Sequence, residues 1–147
     1  MQFITGSAFC GKNKWVKTQI SHIEASEYSE ITWYNGYTSN IAGEDIIRSE
    51  GISIIFGLEH VIEQFLEQDV DHSRGLFRQW LQRLMEWENS SHQNKLYLIG
   101  CDIGKGIVPI DSRQRSLRDL VGWCYQDIVE RADRVDVIWY GINQRLK

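Results

Sequence analysis

The segment FITGSAFCGKNKW, residues 3–15, constrains the fold more than any other part of the sequence. It starts with a short apolar run typical of a buried strand and continues with the glycines Gly6 and Gly11. Its last residues begin a run with helical character that extends from Lys12 to about Ser21. A strand, a glycine loop and a helix in this order can wrap backbone N–H groups and a helix terminus around an anion. The segment therefore predicts a phosphate-binding loop in an α/β fold.

The residues that this loop would bring to a nucleotide are Gly6, Ser7, Ala8, Phe9, Cys10, Gly11, Lys12 and Asn13. Lys12 supplies a positive charge for the β and γ phosphates, and the next position usually carries a Ser or Thr hydroxyl that binds Mg²⁺. Asn13 stands at that position, so we expect a weak Mg²⁺ site in which its amide oxygen is the metal ligand. The alternative interpretation is an ordinary turn that contains glycines.

Strand-like and helix-like segments alternate along the rest of the chain. Apolar and β-branched runs predict strands at 52–56 and 95–100 and a closing strand at 134–142. Helical spacing of apolar residues predicts helices at 58–66, 74–88 and 117–132. The pattern is weaker from 24 to 49, with a strand and turn around Asn35-Gly36 and a short helix from Glu44.

This alternation predicts a mainly parallel sheet with helices on both faces, in a P-loop fold of the RecA-like type. We expect residues 1–147 to form a single nucleotide-binding domain, since no linker or repeat divides the sequence. Ligands of such sheets bind at the carboxyl ends of the strands. Asp102 follows the strand at 95–100, so it is a candidate for that edge.

Composition and charge exclude several classes of protein. The net charge of −4, with dispersed Lys and Arg, argues against nucleic acid as the partner. The three cysteines form no CxxC pair, which favours reduced thiols in the cytoplasm over a disulfide framework or a zinc site. The start of the sequence lacks a signal-peptide pattern and no apolar run approaches a membrane span, so a membrane partner is not expected.

The C-terminal third carries a second group of motifs. It resembles the end of the adenosylcobinamide kinase / adenosylcobinamide-phosphate guanylyltransferase family of cobalamin assembly, in order and spacing. The matches are Gly104, Gly106-Ile107-Val108-Pro109, Arg118-Asp119, Gly122, Gln126, Ala132-Asp133, Val135, Gly141-Ile142 and Lys147. The opening FITGSAFCGK is similar to the phosphate loop of the same family. The resemblance implies ATP or GTP with Mg²⁺, adenosylcobinamide as the acceptor, and a homo-oligomer such as a trimer.

The middle of the chain departs from the family pattern. The family's guanylylated histidine lies in a context that residues 21–51 do not reproduce, and we interpret His22, His60, His72 and His92 as surface histidines. An acidic residue would end the strand at 52–56, but Phe56 and Gly57 stand there and Glu59 lies further on. The family's Asn-Glu is Cys101-Asp102 here, and Tyr125 replaces an Asn. Guanylyl transfer is therefore not expected.

The sequence favours kinase-like phosphoryl transfer, with Lys12 stabilising charge and Asp102 holding metal or orienting the acceptor hydroxyl. Gly104, Gly106, Pro109 and Arg118 would form a substrate or phosphate loop; alternatively the glycines and proline only shape a turn, and Arg118 pairs with Asp119. A second hypothesis is a catalytically degenerate nucleotide- or corrinoid-binding protein with a regulatory or assembly role. A nucleotide hydrolase has less support, because no water-activating acid is evident.

Overall fold

The computed structural model describes residues 1–22, 30–41 and 43–147, so the weakly patterned stretch from 24 to 49 lies partly outside the described residues. The strands are β1 (Gln2–Thr5), β2 (Ile31–Asn35), β3 (Ile52–Phe56), β4 (Lys95–Ile99), β5 (Arg134–Trp139) and β6 (Ile142–Arg145). The helices are α1 (Lys12–Ser21), α2 (Glu44–Ile47), α3 (Leu58–Glu63), α4 (Val70–Asn89) and α5 (Ser112–Arg131). None of these helices is long and apolar enough to cross a membrane.

The six strands form one sheet in the order β2-β3-β4-β1-β5-β6. All neighbouring pairs from β2 to β5 are parallel, and only β6 runs antiparallel to its neighbour β5. Ile99 of β4 is in register with both Ile4 of β1 and Phe56 of β3. These three strands therefore end at the same edge, and the prediction of a mainly parallel α/β sheet is confirmed.

The predicted closing strand at 134–142 is wrong in one respect. The strand ends at Trp139, and Tyr140 and Gly141 form a two-residue turn in which both have positive φ, 49° and 83°. Turns of this kind match the twist of an antiparallel pair. Trp139 consequently faces Ile142, and the chain returns as β6.

Helices cover both faces of the sheet, as predicted. On one face, α3, α4 and α5 bury a large apolar cluster that includes Phe77, Trp80 and Trp87. On the other face, α1 buries Val16 and Ile20 against strand residues of a smaller cluster. The apolar stripe of α4 is thus core, and the edge where the strands end stays open between the two layers.

A buried carboxylate fastens α5 to α4. Asp127 of α5 is 3% exposed and accepts paired hydrogen bonds from Arg74 and Arg78 of α4 at 2.7–2.9 Å. Burial would raise the pKa of Asp127, but the hydrogen bonds and charges of the two arginines outweigh it and lower that pKa to about 2. These hydrogen bonds fix the position of α5, which brings Arg115, Arg118 and Tyr125 to the open edge.

Candidate nucleotide-binding site

A cleft of about 650 Å³ opens at the carboxyl edge of the sheet. Residues 8–14, from the glycine loop and the first turn of α1, form one wall. The ends of β3 and β4 form the other wall, together with Tyr37 and Glu59. Clefts at this edge are where ligands of parallel sheets bind.

The glycine loop, residues 6–11, is hydrogen-bonded to neighbouring segments through its carbonyl groups. Gly6 accepts a hydrogen bond from the Asp102 N–H at 3.0 Å, and Cys10 accepts one from the Gly141 N–H at 2.8 Å. A side chain at Gly6 could not be accommodated, because its φ is 146° and a Cβ would lie 2.5 Å from the Ile138 carbonyl oxygen. Phe9 adopts φ 56° with its ring exposed, a strained conformation of the kind that concentrates at functional sites.

The backbone N–H groups of the loop differ from its carbonyl groups in their hydrogen bonding. None of the backbone N–H groups of residues 7–12 donates a hydrogen bond to another described residue. Helix α1 begins at Lys12, with Gly11 as its N-cap and no side chain capping it. Free amides and the positive end of a helix dipole therefore converge on the cleft, the arrangement that binds phosphate groups.

The Lys12 ammonium lies over the same loop. It donates to the carbonyl oxygens of Gly6 at 3.2 Å and Ser7 at 2.8 Å, and its nitrogen is 3.8 Å from the Cys10 sulfur. Asn13 follows in the first turn of α1, with an exposed side chain that lines the cleft. Six of the eight predicted loop residues, Ala8 to Asn13, thus line the cleft, while Gly6 and Ser7 contact the Lys12 ammonium through their carbonyl groups.

Glu59 is the residue of this cleft that sequence reasoning missed. It belongs to the first turn of α3, is 6% exposed, and accepts hydrogen bonds from the Tyr37 hydroxyl and the Cys101 N–H, each at 2.8 Å. Burial raises the pKa of Tyr37, and the bond to Glu59 raises it further, so Tyr37 remains a protonated donor. An acid in the first turn of a helix that follows a buried strand was the signal that could have identified Glu59.

The backbone at Gly100 and Cys101 forms the floor between Lys12 and Glu59. The Tyr125 hydroxyl donates to the Cys101 carbonyl oxygen at 3.0 Å and occupies the space that a side chain at Gly100 would need. Burial raises the pKa of the Cys101 thiol; the charge of Lys12 opposes this shift, and that of Glu59 adds to it. Lys12 and Glu59 therefore both act on this thiol, from the loop and from α3.

The second loop, residues 101–111, lies beside the glycine loop and is held by arginines of α5. Arg118 donates to the carbonyl oxygens of Ile107, at 3.0 Å, and Gly104, and Arg115 donates to those of Pro109, at 3.0 Å, and Ile110. Arg118 thus contacts the loop backbone rather than Asp119, so the alternative of an Arg118–Asp119 ion pair is wrong. Gly104, Gly106 and Pro109 do lie together in this loop.

Asp102 is occupied within the second loop. One of its oxygens accepts the Gly104 N–H at 3.1 Å, and the other is 3.2 Å from the Lys105 ammonium. It is not among the described residues that line the cleft, although its own N–H contacts Gly6. Among the described residues that line the cleft, the carboxylate is therefore that of Glu59.

The family model for cobinamide kinase / cobinamide phosphate guanyltransferase, CobU, matches residues 38–146. The chain belongs to the CobU family. The family's P-loop fold agrees with the observed sheet, and its activities belong to cobalamin biosynthesis, with nucleotides and cobinamide as ligands. The matched segment includes Glu59, the second loop and the β5–β6 hairpin, whereas the glycine loop precedes it. No curated protein matches the chain.

The histidines of this CobU-family chain lie on its surface, as interpreted from the sequence. All four, His22, His60, His72 and His92, are exposed, and none lines the cleft. His60 packs against the Tyr37 ring at 4.7 Å between centroids and lies 3.4 Å from Glu63, while His72 lies 3.7 Å from Glu67. No described histidine therefore shares the surface formed by the phosphate loop.

The oxygen donors of the cleft suit a Mg²⁺ ion that a nucleotide largely coordinates. The described residues contain no group of three or more His, Cys, Asp or Glu side chains that could hold a metal. Mg²⁺ at phosphate sites usually takes only one or two protein oxygens and completes its octahedron with phosphates and water. Asn13 supplies one such oxygen on the cleft wall.

Proposed function

We propose that this CobU-family protein is an adenosylcobinamide kinase, which transfers the γ-phosphoryl group of ATP or GTP to the hydroxyl of the aminopropanol arm. The single observation that carries the proposal is the row of unbonded N–H groups at residues 7–12, beside the Lys12 ammonium. Phosphate oxygens are the acceptors that such a row suits best. Family membership supports the choice of cobinamide as acceptor.

In this mechanism the chain works mainly through positioning and electrostatics. The loop amides hold the β and γ phosphates, and Lys12 exchanges the carbonyls of Gly6 and Ser7 for phosphate oxygens, where it stabilises the transferring group. Mg²⁺, when bound, neutralises charge on the phosphate oxygens; Asn13 is its proposed ligand. Once its ion pair with Lys105 breaks, Asp102 holds metal or orients the acceptor hydroxyl. The second loop, with Gly104, Gly106, Pro109 and Arg118, contacts the acceptor.

The second candidate function is a degenerate CobU-family protein that binds a nucleotide or a corrinoid and acts in regulation or assembly. Asn13 favours it, because it replaces the hydroxyl that binds Mg²⁺, and so does the strand end Phe56-Gly57, which lacks a carboxylate. In that case the protein still binds the phosphates of a nucleotide, while its rate of phosphoryl transfer is low.

One titration series followed by assays separates the two functions. ATP and GTP are titrated by calorimetry with and without Mg²⁺, and phosphoryl transfer to adenosylcobinamide is then measured. Binding with transfer supports the kinase, whereas binding without transfer supports the degenerate protein. Absence of nucleotide binding contradicts the kinase and leaves, of the degenerate functions, only corrinoid binding. A parallel incubation with labelled GTP should leave no acid-labile adduct on a histidine, because all four lie outside the cleft.

We further propose that residues 1–147 act as one domain and that the protein is a cytoplasmic homo-oligomer. Exposed apolar side chains at the open edge, among them Ile107, Ile110 and Tyr140, support self-association. Light scattering coupled to size-exclusion chromatography measures the oligomeric state; a monomer at all concentrations contradicts the proposal.

A further inference from the structure

Glu59 is a carboxylate held in place inside the cleft. A buried carboxylate is costly unless hydrogen bonds compensate it, and Glu59 receives two, from the Tyr37 hydroxyl to Oε1 and from the Cys101 N–H to Oε2. The donors come from different segments, Tyr37 after β2 and Cys101 after β4. The side chain is thus fixed by groups independent of its own helix, which is how preorganised site residues are held.

These bonds leave Glu59 with capacity to accept more. A carboxylate has about four lone-pair sites, and the two observed bonds use one on each oxygen. Glu59 also belongs to the residues that line the cleft, although only 6% of it is exposed. A hydroxyl that entered the cleft could donate to Glu59 without displacing Tyr37 or Cys101.

Glu59 and Lys12 remain separate charges in one cleft. Lys12 bonds to the loop carbonyls of Gly6 and Ser7, and no ion pair joins it to Glu59 within the described residues. Glu59 accepts the Cys101 N–H at 2.8 Å, and Lys12 lines the same cleft as these two residues. The cleft therefore offers a cation for the phosphate and, across Cys101, an anion that can take up a proton.

We propose that Glu59 is the general base of the proposed kinase reaction. The acceptor hydroxyl gives its proton to Glu59 as its oxygen forms a bond to the γ-phosphorus. The bond from that phosphorus to the β,γ-bridging oxygen breaks, and the nucleoside diphosphate leaves. Glu59 then provides the acid that the end of β3 lacks, from a position three residues further along the chain. This inference rests on the proposed function.

The test compares Glu59→Gln with the wild-type protein and with the matched variant Glu63→Gln. A glutamine can keep both contacts, because its oxygen accepts from the Cys101 N–H while its amide donates to the Tyr37 oxygen. Glu63 lies one turn later on α3, is half-buried, lies 3.4 Å from His60 and does not line the cleft. Nucleotide dissociation constants, thermal unfolding and transfer rates to adenosylcobinamide and to water are measured for each protein.

We expect Glu59→Gln to slow transfer by at least about 100-fold, the usual contribution of a general base, with unchanged nucleotide affinity and unfolding temperature. Glu63→Gln should behave as wild type, and Glu59→Asp should recover part of the rate.

Tyr37→Phe tests the positioning of the base, because it removes one of the two hydrogen bonds that orient Glu59. It should lower the maximal rate less than Glu59→Gln does, and it should leave the nucleotide dissociation constant unchanged. Transfer by Glu59→Gln at the wild-type rate, or an equal loss in Glu63→Gln, overturns the general-base role alone. A wild-type protein that binds nucleotide but transfers phosphate to neither acceptor overturns the proposed kinase function as well.

Discussion

The glycine loop after β1 and the second loop after β4 lie side by side, yet they expose opposite groups. The glycine loop uses its carbonyls to contact Asp102, Gly141 and Lys12, and the N–H groups of residues 7–11 donate to no other described residue. In the second loop, Arg115 and Arg118 take up four carbonyl groups, and the side chains of Ile107 and Ile110 point into solvent. One surface is suited to anions, and the other presents apolar side chains.

The two loops therefore meet two different requirements of a kinase, one for the nucleotide and one for the acceptor. A nucleotide needs donors for its phosphates, whereas a large acceptor needs apolar contact area beside the phosphoryl group. The loops meet at the hydrogen bond between the Asp102 N–H and the Gly6 carbonyl, so a ligand on one loop lies next to a ligand on the other. The comparison predicts that variants of the glycine loop change nucleotide binding or transfer, and that variants of the second loop change the acceptor.

The largest expected effect is that of Lys12→Ala on nucleotide affinity. Removing the ammonium eliminates a charge-assisted contact of about 2–3 kcal/mol, so the dissociation constants for ATP and GTP should rise about 30- to 160-fold. Isothermal titration calorimetry measures them.

The matched control for this variant is Lys17→Ala on the same helix. The Lys17 ammonium lies 5.3 Å from the Trp33 ring centroid and does not line the cleft, so nucleotide affinity should stay at the wild-type value. Equal losses in the two variants would indicate a general effect of positive charge rather than a phosphate loop. The proposed division between the two loops would then fail.

A smaller effect is expected for Asn13→Ser, and it concerns rate. The variant restores a hydroxyl where phosphate loops bind Mg²⁺, and the amides and Lys12 that hold the phosphates are unchanged. Phosphoryl transfer should rise about tenfold, which corresponds to about 1.4 kcal/mol in the transition state, while the nucleotide dissociation constant stays nearly constant. Steady-state rates with saturating Mg²⁺, combined with calorimetry, provide the test.

Two outcomes would contradict the expectation that Asn13 is a weak metal ligand. Wild-type turnover of about 1 s⁻¹ or faster, the typical range of kinases, would mean that Asn13 is already an adequate metal ligand. A change in affinity without a change in rate would instead assign Asn13 to ground-state binding. Either result contradicts the expectation that the loop holds nucleotide well and transfers phosphate slowly.

Local patterns predicted most of the fold. Short β-branched runs such as 52–56 form strands buried within the sheet, and apolar residues spaced by three and four along α4 form its core-facing stripe. The closing strand was predicted too long because Trp139, Tyr140 and Ile142 are all typical strand residues. The turn depends on positive φ at Tyr140, a conformation that this residue type rarely adopts and that composition does not reveal.

The candidate site was less predictable, because it depends on contacts between distant segments. The eight residues from Gly6 to Asn13 are consecutive, so the sequence could name them together. Glu59 was visible only as an acid that follows a strand, because its place in the cleft depends on Tyr37 and Cys101, 22 and 42 residues away in the chain. The contacts of Arg118 with the carbonyls of Gly104 and Ile107 depend on how α5 packs over the second loop, which no local pattern shows.

The smallest expected effect is that of Arg118→Ala, which tests the second loop. The guanidinium contacts two exposed carbonyl groups, so its loss removes about 1 kcal/mol of net loop stabilisation and should raise the KM for adenosylcobinamide about fivefold. Nucleotide affinity should not change, because no residue from 7 to 12 contacts Arg118. Hydrogen exchange of residues 104–110 should accelerate in parallel, since these amides belong to the freed segment.

Arg113→Ala is the control for Arg118→Ala, because Arg113 is exposed on the same helix and donates no hydrogen bond to the second loop. If Arg118→Ala weakens nucleotide binding as much as it weakens acceptor binding, the two loops act as one site and their division is wrong. If exchange accelerates while the KM for the acceptor stays constant, Arg118 only shapes a turn. A rise in KM that accompanies faster exchange, with nucleotide affinity intact, means that the second loop must be ordered to receive the acceptor.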